Sequence, residues 1–222
     1  MSTPTPPGSS EKTTLKRLSY KASGSTSDLY DILDLNMVAH VGFVIDGAPM
    51  VIPMAYGRSG EKIYLHGSSG SRLMRHLDSQ PQVCISITEL NALKVSRSTF
   101  NSGMHYRSVV IFGKAELVAE DQKMQALDIV SDALIPGRVA EARPMTKKEA
   151  AATIIVRVEL NETSVKIATN EVDDPEEDLN RGFWAGTIPL ASVAQPAIPA
   201  DQESAVLPVP KSVRDFIAKR SR

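Results

Sequence analysis

The sequence predicts a mainly β protein, an antiparallel barrel with a few helices closing its ends. Three observations predict it. Six or more β-rich runs fall within about 170 residues, most of them joined by tight turns. Asp46-Gly47 lies between two such runs and is a strong hairpin signal. The βαβαβ rhythm of a doubly wound sheet is missing, since no Gly-x-Gly-x-x-Gly follows the first strand.

Composition narrows the setting. The 222 residues are 42% hydrophobic and 23% charged, ordinary for a globular protein. Twenty-five Lys and Arg against 26 Asp and Glu leave a net charge of −1, so no basic field attracts nucleic acid and no such partner is expected. The single cysteine, Cys84, excludes an internal disulfide framework and a Cys-based zinc cluster, and a reducing, cytoplasmic compartment is the simplest setting. The longest apolar runs are cut by Asp46-Gly47 or Pro53, too short to span a membrane, and no membrane partner is expected. The first residues lack the apolar core of a secretory signal.

The elements follow in order. Residues 1–17 are expected to be a disordered arm, because 1–14 are rich in Pro, Ser and Thr with little to bury; a weak transit sequence is the other reading. Residues 18–190 form the expected globular domain. Ser27-Asp28 opens a helix through Leu29, Ile32, Leu33 and Leu35. The hairpin runs from Met37 to Gly57 around Asp46-Gly47, and Ile63–Gly67 makes a third strand. A short helix turns Leu73, Met74 and Leu77 inward. Val83, Ile85 and Ile87 alternate along a further strand, and residues 93–100 read as another. After a break at 101–106, a long strand passes through Gly113, where a bulge or close backbone approach is expected. A helix carries Met124, Leu127, Val130 and Leu134 and stops at Pro136-Gly137. Residues 152–160 make a last strand, and an acidic loop follows at 173–178. Residues 191–222 are expected to be a Pro-rich linker and a basic tail, with Val213, Phe216 and Ile217 at helical spacing. A fragment of residues 15–190 is expected to suffice for folding.

Two segments can carry chemistry. From Ile63 to Arg72 a strand ends in a Gly/Ser loop and a helix begins with Arg72 and Arg75. Loop amides beside a guanidinium suit a phosphate; a plain turn with surface arginines has the same composition. From Met104 to Val110, polar and aromatic residues stand where a strand enters the core; a strand edge with half-buried Tyr106 and solvated Arg107 fits equally. The four histidines lack zinc-ligand spacing, so no metal site is expected. His40 reads as a hydrogen-bonded core residue and Cys84 as a small core side chain. Trp184, the one tryptophan, is a core plug or a stacking surface. No Gly-x-Ser-x-Gly elbow occurs.

The hairpin at 40–57, the Tyr64-Leu65-His66-Gly67-Ser68 and Ser71-Arg72 segment, the strand at 83–88 and the Tyr106–Gly113 segment together resemble the pyridoxamine 5′-phosphate oxidase-related FMN-binding split-barrel superfamily. Within it they are most similar to the flavin-nucleotide-binding branch that includes nitroimidazole-resistance-type proteins. The resemblance covers residues 18–190. It implies a split antiparallel β-barrel, a homodimer, and FMN in a groove between subunits. It further implies that Ser71 and Arg72 hold the phosphate, that Tyr64, Leu65 and His66 line the flavin, and that Pro53 and Met54 do so from the adjacent strand. Tyr106, Arg107 and Ser108 match a segment that approaches the cofactor or the subunit interface.

The resemblance implies a flavin-dependent oxidoreductase acting on a small molecule, with NAD(P)H a possible donor. The alternative is a flavin- or haem-binding carrier or sensor without turnover. No catalytic residue is assigned; His66, Tyr106 and Arg107 are the candidate proton donors and acceptors. The Arg-x-His substrate motif of the true oxidases is absent, because no histidine follows His105, so vitamin B6 oxidation is not implied. Asn101 and Ser102 follow Phe100 where relatives often carry histidines.

Overall fold

In a computed structural model the chain is described over residues 4–221. Its strands and helices, in order, are β1 (Ala22–Ser23), α1 (Thr26–Leu35), β2 (Val38–Ile45), β3 (Ala48–Ser59), β4 (Lys62–Ser68), α2 (Arg72–Asp78), β5 (Gln82–Val95) and β6 (Gly103–Lys114). Then come β7 (Glu116–Leu117), α3 (Glu120–Leu134), α4 (Lys147–Ala151), β8 (Thr153–Glu159), β9 (Glu162–Ala168), β10 (Gly186–Pro189), α5 (Gln202–Val206) and α6 (Lys211–Arg220). The chain divides into two compact units. One takes residues up to Pro53 with Gln82–Gly113 and Glu159–Ala191; the other takes Met54–Pro81, Lys114–Val158 and the chain from Ser192.

In the first unit β2 turns into β3 through Asp46 and Gly47, both at positive φ (51° and 78°). That pair of left-handed residues is the two-residue turn whose twist matches the strands it joins. β5 is long enough to serve two partners: β2 along Cys84–Ser86 and β10 along Ala92–Val95. The inward phase along β5 changes from odd positions (Val83, Ile85, Ile87) to even (Ala92). In the sequence that change reads as a boundary between two strands; the backbone runs straight through it. The break comes later, where the Ser96 hydroxyl donates to the Asn101 carbonyl at 2.9 Å, so 103–106 belong to β6. β6 pairs with β9 from Tyr106↔Ala168 to Phe112↔Glu162, and β9 with β1. β9 has no counterpart among the predicted strands, although Thr163, Val165 and Ala168 are buried along it.

Helix α1 is capped two residues earlier than predicted, by Ser25, whose hydroxyl accepts from the Asp28 amide. Its Leu29, Ile32 and Leu33 join Val41, Phe43, Ile85 and Ile111 in the core. Each fully buried side chain of this size contributes roughly 1.5–3 kcal/mol.

Two expected core residues lie outside. His40 and Cys84 are exposed, because they alternate with inward Ala39 and Val41 and with inward Val83 and Ile85. Residues 4–17 are attached: the Gly8 amide donates to the Thr163 carbonyl at 2.7 Å, and Thr13 is buried. The acidic loop is anchored as well as solvated. Asp174, its side chain 1% exposed, accepts from the Arg97 amide (3.1 Å) and guanidinium (2.9 Å).

In the second unit β3 pairs with β4 (Tyr56↔Leu65), β4 neighbours β8, and β7 pairs with β8 (Leu117↔Val156). α3 lies against this sheet with Ala126, Leu127 and Val130 buried; Met124, expected inward, is exposed. The packing is close enough to require a glycine. A Cβ on Gly57 would stand 2.8 Å from the Ile129 carbonyl oxygen and from the Val130 Cα. α4 opens with a capping box between Thr146 and Glu149. α6 forms over the basic tail segment, and the buried Ser212 donates from its amide, at 3.2 Å, and from its hydroxyl to the Glu141 carboxylate. Among the described residues no helix is long and apolar enough to cross a membrane.

Candidate functional site

The loop between β4 and α2 is built as the sequence suggests, but its amides are occupied. Ser69 N–H donates to the Ala152 carbonyl (2.9 Å), Gly70 N–H to the Ser68 hydroxyl (3.2 Å) and Ser71 N–H to the Ser68 carbonyl (2.9 Å). What remains for an anion is the side chains. The Ser71 hydroxyl makes no cap to α2, although Ser71 holds the N-cap position. Leu73, Met74 and Leu77 pin α2 into the core and so turn Arg72 and Arg75, three residues apart, outward together. Neither arginine has an ion-pair partner among the described residues, in contrast to Arg97, Arg107, Arg143 and Arg157. The site's positive charge is therefore not neutralised from within.

β4 leads into this loop with alternating faces. Leu65 is fully buried, so only its backbone is open to a ligand. Tyr64 and His66 share the other face. Tyr64 packs against the buried cluster that includes Leu127, Val130 and Ile155. His66 is half-buried, and its Nδ1 is buried without a hydrogen-bond partner. An orphaned buried nitrogen costs roughly 1–3 kcal/mol unless something pairs with it. Burial lowers the His66 pKa, so the imidazole is neutral near pH 7, the form that ligates metals or accepts a proton. Gly67 completes the strand. A Cβ there would stand 2.8 Å from Met74 Cγ, which fixes how closely α2 folds back. Met54, half-buried on β3, belongs to the same unit as Tyr64, Leu65, His66, Ser71 and Arg72.

The remaining expected residues fall in the first unit. Pro53 is exposed on β3. Tyr106, Arg107 and Ser108 are half-buried on β6, opposite Ala168, Ile167 and Lys166. Arg107 spends its guanidinium on Glu89, with Nε 2.9 Å from Oε2, so it is a partnered cation rather than an open one. Lys166 Nζ lies 5.8 Å from the Tyr106 ring centroid. His105 Nε2 meets the Asn170 carbonyl at 2.7 Å. Trp184 is no core plug; it is 66% exposed. Alternation and spacing gave no sign of the Arg107–Glu89 and Arg97–Asp174 pairs, whose members lie 18 and 77 residues apart.

Comparison with known proteins gives this arrangement a lineage. No curated protein matches the chain. Its architecture is shared with the FAD and haem binding protein from Mycobacterium smegmatis, at 38% identity and TM-score 0.85, over 88% of this chain and 96% of that one. It is shared equally with a flavocytochrome from Azotobacter vinelandii, at 34% identity and TM-score 0.86, over 96% and 98%. A structure described as a 5-nitroimidazole antibiotic resistance protein from Bacteroides thetaiotaomicron, at 18% identity and TM-score 0.55, over 66% and 86%, shares the fold alone. The fold class is the split antiparallel β-barrel with helices. The pyridoxamine 5′-phosphate oxidase family profile matches residues 25–167, and the chain belongs to that family.

Proposed function

We propose that this protein binds a flavin nucleotide and a haem and passes electrons between a donor and an acceptor. The observation that carries the reading is the β4–α2 loop, where Arg72 and Arg75 stand without acidic partners beside the uncapped Ser71 hydroxyl. A phosphate there gains charge-assisted contacts that cost no existing ion pair. Two relatives above one-third identity are described as an FAD and haem binding protein and as a flavocytochrome, which supports a flavin together with a haem. The resemblance implied FMN; these names favour FAD, and either carries the phosphate that Arg72 meets.

His66 is the residue proposed toward the haem. Its Nδ1 is buried without a hydrogen-bond partner and burial lowers its pKa, whereas His40 is exposed and His105 is bonded to Asn170. A flavin exchanges electrons singly or in pairs and a haem iron singly, so together they join two-electron donors to one-electron acceptors. The protein's share is to hold the phosphate, keep the imidazole neutral and bury the ring edges. Tyr106, Arg107 and Ser108 are proposed as supporting residues, with Glu89 fixing the Arg107 plane. Val38, Val44 and Val51 point outward from the β2–β3 hairpin, which favours a homodimer. A cytoplasmic setting is proposed from the single cysteine.

The visible spectrum of freshly purified protein tests the reading, with the released cofactors identified by chromatography. Flavin absorption and a Soret band are expected, and His66→Ala is expected to lose the Soret band and keep the flavin. Protein that is colourless and takes up neither group on incubation overturns the proposal. NAD(P)H oxidation by the holoprotein then separates an oxidoreductase from a carrier or sensor.

A further inference from the structure

Within the first unit the N-terminal arm, β1 and β9 border a cavity of about 210 Å³. The arm is fastened there: besides the Gly8–Thr163 bond, the Ser10 hydroxyl donates to Glu162 Oε2 at 3.1 Å, and Lys12 Nζ lies 4.2 Å from the Phe112 ring centroid. None of the side chains lining the cavity is charged, and five carry a hydroxyl. The five differ in what they have left to offer. Thr13 and Thr14 donate to the Ser10 carbonyl (3.2 and 2.7 Å) and Ser23 donates to Asp28 Oδ2 (2.5 Å), so toward a ligand these three can only accept. The Ser19 and Ser164 hydroxyls have no partner among the described residues and keep both a donor and an acceptor.

Ser19 is brought to this cavity at the expense of backbone strain. Leu18 before it is left-handed (φ 56°, ψ 46°), a conformation that a bulky L residue rarely adopts. The Leu18 side chain is 40% exposed, so the strain does not serve to bury it. What the turn achieves is the placement of the next hydroxyl on the cavity wall. Strain of this kind persists where the surroundings enforce it, and it gathers at ligand clamps.

We propose that this cavity binds a small uncharged polyol the size of a hexose, a site that goes beyond the flavin reading and does not depend on it. An ionised ligand would lose its water here without meeting a counter-charge. The surplus of acceptors calls for a ligand rich in O–H donors, and each hydroxyl of a polyol also accepts, as the Ser19 and Ser164 donors require. At about 30 Å³ for each water the cavity holds about seven; a hexose supplies oxygens that replace most of them.

The test is saturation-transfer NMR on the full-length chain, with glucose as the probe and gluconate as its anionic counterpart of similar size. Glucose is expected to bind and gluconate to give no signal. Ser19→Ala removes one donor and is expected to weaken glucose about three- to tenfold. Ser164→Leu, which fills the cavity from β9, is expected to abolish the signal. Should Ser164→Leu fail to fold, Ser19→Ala, on an exposed turn, still decides the matter. A parent that does not bind glucose overturns the proposal, as do a gluconate signal equal to that of glucose and variants that bind as the parent does. Each of these outcomes leaves the flavin reading standing, since flavin uptake is followed separately by its visible absorption.

Discussion

Arg72 owes its proposed role to what it lacks, an acidic neighbour, and its removal has a calculable cost. A charge-assisted contact to phosphate is worth roughly 1.5–3 kcal/mol, so Arg72→Ala should weaken FAD or FMN by about ten- to a hundredfold. Riboflavin, which has no phosphate, should bind both proteins alike, and titration calorimetry distinguishes the two cases. His66 makes a pH-dependent contribution whose sign is fixed by its burial. Its folded pKa lies below the unfolded value of about 6.5, so the unfolded state takes up the proton first. The stabilisation is therefore complete above about pH 6.5 and is lost as pH falls towards the folded value. In urea melts, His66→Gln should lose less stability than the parent between about pH 7.5 and about pH 5.5; equal losses would remove His66 from the balance. At this scale the sequence was most misleading where one residue alternates with core neighbours. His40 and Cys84 sit among apolar residues in the chain, yet period-two geometry sends them to the opposite face.

Among the elements, the Asp174–Gly186 loop depends most on one contact. Asp174→Ala leaves the Arg97 guanidinium and amide without their acceptor, and should cost about 2–3 kcal/mol, read as a lower denaturation midpoint with an unchanged slope. Loss of the anchor should also loosen Trp184, seen as lower emission anisotropy. The hairpin, β4, α2 and α3 were legible because their signals are local: a left-handed Asp-Gly pair, i, i+3, i+4 spacing, a terminal glycine. β10 carried no such signal, since it is four residues held only by pairing with β5. The single strand β5 was read as two because its inward phase changes midway. α4 was legible in principle, as Thr146 and Glu149 stand at capping-box spacing. The candidate site divided in the same way. The Gly/Ser loop and its arginines could be read from order along the chain, whereas the occupied amides and the orphaned His66 nitrogen depend on residues brought from elsewhere.

For the molecule as a whole, the outward side chains of the β2–β3 hairpin make a definite expectation. Val44 and Val51 are 56% and 66% exposed, and a second copy covering them would bury surface that a lone chain leaves wet. Light scattering at micromolar concentration should give twice the mass of one chain, and a single-chain mass would contradict the proposed dimer. The long strand β5 also sets an order of events in time. Its pairing with β10 closes a loop of about ninety residues, whereas β2 meets β3 across two. Contacts so far apart in the chain form slowly, because loop closure must come before any gain from pairing. The hairpin should therefore form early and β10 late. The only tryptophan lies two residues before β10, so in stopped-flow refolding its emission should reach the native value after the far-ultraviolet circular dichroism has settled. A late segment to arrive is thus the one that carries the exposed indole: a newly made chain has its first hairpin before it can present that ring to anything.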